Sequence, residues 1–187
     1  EWKVPKVIDI QGEQSKSLKC NRVVRTPMPK KFLAIVDPLA SLNVLADTTL
    51  ALIAEAGARG VDNFACEIGD IFLREGKVHF HAAPVSIKPG DQKVPHYLAP
   101  KNVMSADEFR VIFMRKDPPV DEHFMASLLM LRVHDPKKTL VLNDPDGLLV
   151  ANEKLFGLHV APQFFPATLV SSNKEDLLPF VKAHQKV

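Results

Sequence analysis

The sequence predicts an α/β protein: an open, mostly parallel sheet flanked by helices, with a small α+β piece at the C-terminal end. Two observations carry that expectation. Short apolar runs recur at residues 32–36, 111–114 and 139–142, and each closes on polar residues with proline close behind. The closing residues are Asp37-Pro38, Arg115-Lys116-Asp117-Pro118 and Asn143-Asp144-Pro145. Between the runs lie stretches with apolar residues at helical spacing. Strand-length runs buried on both faces and alternating with helices are the pattern of a doubly wound parallel sheet.

Composition sets the outer bounds. With 46% hydrophobic and 25% charged residues, the 187-residue chain has the make-up of an ordinary globular domain, or one domain and a piece of another. The net charge of +2 is unevenly spread: residues 1–31 hold eight Lys/Arg and three acids, the rest 16 and 19. Residues 1–31 therefore read as a basic N-terminal arm, residues 32–146 as the main domain, and residues 147–187 as the start of another. The arm has one Trp and interrupted charge. Packing on its own body or on a neighbouring subunit fits it better than nucleic acid or a membrane surface. Two cysteines, Cys20 and Cys66, make no disulfide framework and no metal motif, which favours a reducing cytoplasm. No run approaches the length of a membrane span.

In chain order, residues 4–10 could form one short strand before the first buried strand at 32–36. A loop bearing Asn43 follows, and Asp47 N-caps a helix whose Leu50, Ile53, Ala54 and Gly57 share a face, with Gly60 at its stop. Residues 63–68 form a second strand, and residues 70–74 and 77–83 a hairpin around Glu75-Gly76. His79 and His81 alternate on one hairpin face and, with His96, suggest a metal; no carboxylate or thiol has ligand spacing, and plain surface is the simpler account. Residues 84–102 read as a surface excursion, and Ser105-Ala106-Asp107-Glu108 as a short turn. Residues 121–133 form an amphipathic helix with Phe124, Met125, Leu128, Leu129 and Leu131 toward the core. Beyond a strand at 139–142 come a helix over 147–158, a short strand at Leu169-Val170, and a last helix from an Asn173 N-cap to about His184, interrupted by Pro179.

Ligands of open α/β sheets bind beyond the carboxyl ends of the strands. Asp37, Asn43, Arg115, Lys116 and Asp117 would share that rim, where a cationic pair and carboxylates could hold an anionic substrate. A surface ion-pair turn accounts for the same residues equally well. Neither GxGxxG, GxxxxGK[ST] nor GxSxG occurs.

Four stretches in order carry a resemblance. They are Ile35-Val-Asp-Pro-Leu-Ala-Ser-Leu-Asn43 with Asp47, Glu67-Ile-Gly-Asp-Ile-Phe-Leu73, Met114-Arg-Lys-Asp-Pro-Pro119 and Asn152-Glu-Lys-Leu-Phe156. Over about 150 residues the chain resembles the N-terminal part of bacterial glutathione synthetase, an ATP-grasp ligase. The resemblance implies a Rossmann-like pre-ATP-grasp domain to about Asp146, then the opening of the ATP-grasp domain. It implies that Lys154 contacts a nucleotide phosphate, and that the five rim residues face the cleft for γ-glutamylcysteine. It also implies ATP and magnesium as cofactors, glycine as the second substrate, a homo-oligomer, and a remaining ATP-grasp half that carries the magnesium ligands. No catalytic residue and no metal ligand fall within this chain, which alone would be inactive. The arm has no counterpart in the family pattern. A stand-alone binding or regulatory module descended from this domain is the alternative.

Overall fold

The computed structural model describes residues 30–88, 90 and 95–184. Cys20, the expected strand at 4–10 and most of the basic arm lie outside the described residues.

Strand β1, Lys31–Ile35, lies centrally, because its side chains are buried on both faces. Leu33 and Ile35 point one way and Ala34 and Val36 the other, the period of two that an extended chain imposes. Helix α1, Thr48–Ala58, lays Ile53 against Ala34 and Val36. Helix α2, Glu122–Leu131, lays Phe124, Leu128 and Leu131 against the opposite face. Both start where an aspartate accepts backbone N–H groups: Asp47 from Thr49 and Leu50, Asp121 from Phe124. Strands β2, Asp62–Cys66, and β6, Val111–Met114, flank β1 in parallel, and β7, Leu140–Leu142, continues beyond β6.

The remainder of the sheet is antiparallel. Strand β3, Ile71–Arg74, returns as β4, Lys77–Pro84, through Glu75-Gly76. Both turn residues have positive φ, 52° and 72°, as a type I′ hairpin requires. Strand β4 changes partners along its length, pairing with β3, with β5 (Asn102–Ser105) and with β2. The protein is thus α/β, an open sheet with helices on both faces, mixed rather than strictly parallel.

Several expectations need correction. Residues 84–102 are not wholly a surface excursion: Val85 is buried and bridges Tyr97, and Asn102 already belongs to β5, whose polar ends hid it. Leu129 is 51% exposed and the buried position is taken by Ser127, whose hydroxyl donates to the His123 carbonyl. The helix expected over 147–158 is two, α3 (Pro145–Ala151) and α4 (Lys154–Val160). Asn152 ends the first by donating to the Leu149 carbonyl, and Glu153 is extended. Leu169-Val170 forms no strand: both residues are exposed, lie in irregular chain and pair with nothing among the described residues, so the C-terminal piece there is helix and loop. It ends in α5, Lys174–His184. From Asp146 to His184 no described residue is buried.

Candidate functional site

Chain order creates the cleft. From β1 the chain crosses through α1 to β2 on one side, while β6 sits on the other side of β1. The two connections leave β1 and β6 in opposite directions, and a crevice opens between their carboxyl ends. It measures about 560 Å³ and its walls include Asp37, Asn43, Asp47, Thr49, Arg115 and Asp117.

Arg115 is its centre. Its backbone N–H donates to the Ile35 carbonyl at 2.8 Å, which extends the β1–β6 ladder and fixes where the side chain leaves. Nε donates to Thr49 Oγ1 at 3.0 Å and Nη2 to Thr48 Oγ1 at 2.8 Å. The guanidinium carbon lies 5.3 Å from the Phe113 ring centroid. A guanidinium has five N–H donors, and two of them are used among the described residues. No carboxylate pairs with Arg115 among the described residues, so a held fork remains to receive one.

Around it the charges are tied. Asp37 accepts from Lys116 Nζ at 2.8 Å and from the Asp117 backbone N–H at 3.0 Å. Asn43 Oδ1 accepts from Leu45 N–H at 3.1 Å, shaping the loop. Three carboxylates, Asp37, Asp47 and Asp117, face one arginine across the cleft. That balance suits a ligand with both an ammonium and a carboxylate better than a simple anion.

Four of the five expected rim residues, Asp37, Asn43, Arg115 and Asp117, line this cleft. Lys116 does not; it lines a neighbouring cavity and only its ammonium reaches Asp37. Lys154 stands apart at the first residue of α4, exposed and outside the cleft wall. Thr48 and Thr49 escaped the sequence reading because their partner is 66–67 residues away. The Thr-Thr pair just after an N-cap was the only local signal.

On the same rim, at the end of β2, Glu67 and Asp70 cap one another's backbone. Lys101 Nζ lies 2.6 Å from Asp70 and 3.5 Å from Glu67. Beneath them burial pushes the Cys66 thiol well up from its ordinary value, and the charge of Asp70 adds to the effect. Cys66 is therefore expected to resist iodoacetamide at pH 8 until the protein unfolds, as mass spectrometry of native and urea-treated samples will read. The buried thiol also contributes a stability that is full below the unfolded pKa of about 8.5 and is lost as pH rises toward the folded value. Cys66→Ala should flatten that alkaline decline.

His79 and His81 sit against the Phe72 ring, centroids 5.4 and 5.0 Å away. Among the described residues no three or more His, Cys, Asp or Glu groups gather to hold a metal. Among them, too, no helix is long and apolar enough to cross a membrane.

Comparison with known proteins follows the same outline. The family model of the prokaryotic glutathione synthetase N-terminal domain matches residues 31–148. The glutathione synthetase of Thermosynechococcus vestitus is 35% identical over 156 residues, covering 79% of this chain and 49% of the relative. That of Escherichia coli strain K12 is 33% identical over 157 residues, covering 84% and 49%, and that of Gloeobacter violaceus 36% over 160, covering 82% and 48%. The chain spans about half the length of the curated relatives it matches. With a matched region running from β1 into α3, and so including both walls of the cleft, the chain belongs to the family of the prokaryotic glutathione synthetase N-terminal domain.

Proposed function

We propose that this chain is the substrate-binding N-terminal part of an ATP-dependent carbon–nitrogen ligase that makes glutathione from γ-glutamylcysteine and glycine. The observation that carries the proposal is Arg115, held on two threonines at the strand switch point with donors to spare. γ-Glutamylcysteine carries an ammonium and two carboxylates. One carboxylate would take the Arg115 fork, and the ammonium would face Asp117 and Asp37. Asn43 would offer its amide N–H at the loop.

The reaction has two steps. The cysteinyl carboxylate attacks the γ-phosphorus of ATP, forming an acyl phosphate and releasing ADP. The glycine amine then adds to the acyl carbon, a proton leaves the nitrogen, and phosphate departs with the C–O bond. The remaining ATP-grasp half would supply the ATP pocket and the magnesium ligands, with Lys154 contacting nucleotide phosphate from this side. Phosphoryl transfer depends on such positioned charge, so the chain alone would be inactive. The unburied stretch from Asp146 to His184, with Val160 60% and Phe164 82% exposed, supports a covering partner half. A cytoplasmic homo-oligomer belongs to the same proposal.

The test is a titration of the 187-residue chain with γ-glutamylcysteine, followed by amide chemical shifts, alongside an ADP-release assay. Saturable shifts confined to residues 37–49 and 115–118, with no ADP released, are expected. Shifts elsewhere, or none, would remove the cleft assignment; turnover by this chain alone would remove the need for a second half.

A further inference from the structure

Residues 115–117 serve two cavities. Arg115 and Asp117 line the cleft, and Lys116 lines a second cavity of about 380 Å³ between the turn after β2 and helix α2. Its walls are largely apolar, with Ile68, Ile71, Ala126 and Met130 contributing. Asp121 also borders it, but that carboxylate caps α2 by accepting from Phe124 N–H at 2.9 Å. His123 stands exposed beside it.

The Lys116 side chain is only 17% exposed. An ammonium has three N–H donors. One goes to Asp37 Oδ1 at 2.8 Å and one to the Asp117 carbonyl. The third has no acceptor among the described residues. A largely enclosed cation with a spare donor, carried by a residue that lines an apolar cavity, can receive a carboxylate with an apolar body.

We propose that this second cavity binds a small apolar monocarboxylate, its carboxylate on Lys116 and its body against Ile68, Ile71, Ala126 and Met130. Because the same ammonium holds Asp37, the two cavities are coupled. A carboxylate on the third donor shares the Lys116 charge with Asp37, so whatever weakens the Asp37 pair strengthens the second cavity, as reciprocity demands. The proposal stands on the cavity and Lys116, independently of the ligase reading.

The experiment uses the 187-residue chain, hydrocinnamate as the probe and 3-phenylpropan-1-ol as its uncharged counterpart, with affinities taken from amide chemical shifts. Hydrocinnamate should bind saturably and shift the amides of Ile68, Ala126 and Met130, with the alcohol about tenfold weaker. Lys116→Met should erase the preference for the acid. Asp37→Asn, which removes the carboxylate that shares the Lys116 charge, should tighten hydrocinnamate about fivefold. Ala126→Phe should fill the cavity and abolish binding. Equal affinity for acid and alcohol, shifts confined to other residues, no binding at millimolar concentration, or weaker binding in Asp37→Asn would each overturn the proposal. The probe pair and Asp37→Asn decide the matter even if Lys116→Met fails to fold.

Discussion

Arg115→Met is expected to weaken γ-glutamylcysteine binding by about 2–3 kcal/mol, roughly 30- to 150-fold, measured by calorimetry on the 187-residue chain. The loss comes from a fork aimed in advance: Thr48 and Thr49 hold two of its donors, so little rotamer entropy is lost when substrate arrives. Arg115→Lys separates charge from geometry. A lysine keeps the point charge but cannot reach both hydroxyls and a carboxylate in one plane, so its affinity should fall between the two. Stability should change far less than affinity, since the one buried partner left unpaired is the Thr49 hydroxyl. Wild-type affinity in Arg115→Met would remove Arg115 from the substrate site.

Phe109→Ala should destabilise the fold by about 3–5 kcal/mol. Phe109 is fully buried and meets the edges of two other rings, Phe64 at 5.7 Å and Phe80 at 6.0 Å between centroids. Those rings come from β2 and β4, so the cavity left behind would open where the parallel and antiparallel parts of the sheet join. Leu129→Ala is the contrast. It truncates an apolar side chain on a helix the sequence pattern marks as amphipathic, yet Leu129 is half exposed and the cost should stay within about 0.5 kcal/mol. Urea unfolding distinguishes the two, with an unchanged m-value showing that only stability has moved. Equal losses would contradict the burial described above.

The legible features were those with a local cause. Residues Val111–Met114 announce a strand because four apolar residues meet an abrupt run of charge and then two prolines. Asp47 and Asp121 announce helix starts because capping acts over two or three residues. Features that depend on distant partners stayed hidden. Strand β5 exists because β4 offers an edge, and its Asn102 and Ser105 give no apolar alternation. The break between α3 and α4 turns on the Asn152 amide finding the Leu149 carbonyl. In the cleft, the rim carboxylates and Arg115 stood out as polar strand ends, but the threonine pair that aims Arg115 required the fold. The rim position of Lys116 was legible too, although which of two cavities it would line was not, because that depends on α2 packing behind the turn.

That division between cavities is the strand's period of two carried past the end of β6. Arg115 and Asp117 fall on one side and Lys116 on the other. Deleting or inserting a single residue between Met114 and Pro118 would exchange the sides, as a one-residue slip does in any strand. An arginine could then enter the apolar cavity and a lysine the cleft, with every residue type still present. The structural constraint on this turn is therefore its length as much as its composition. Lineages descended from a common ancestor should tolerate swaps of side chains here far more readily than a change in the count.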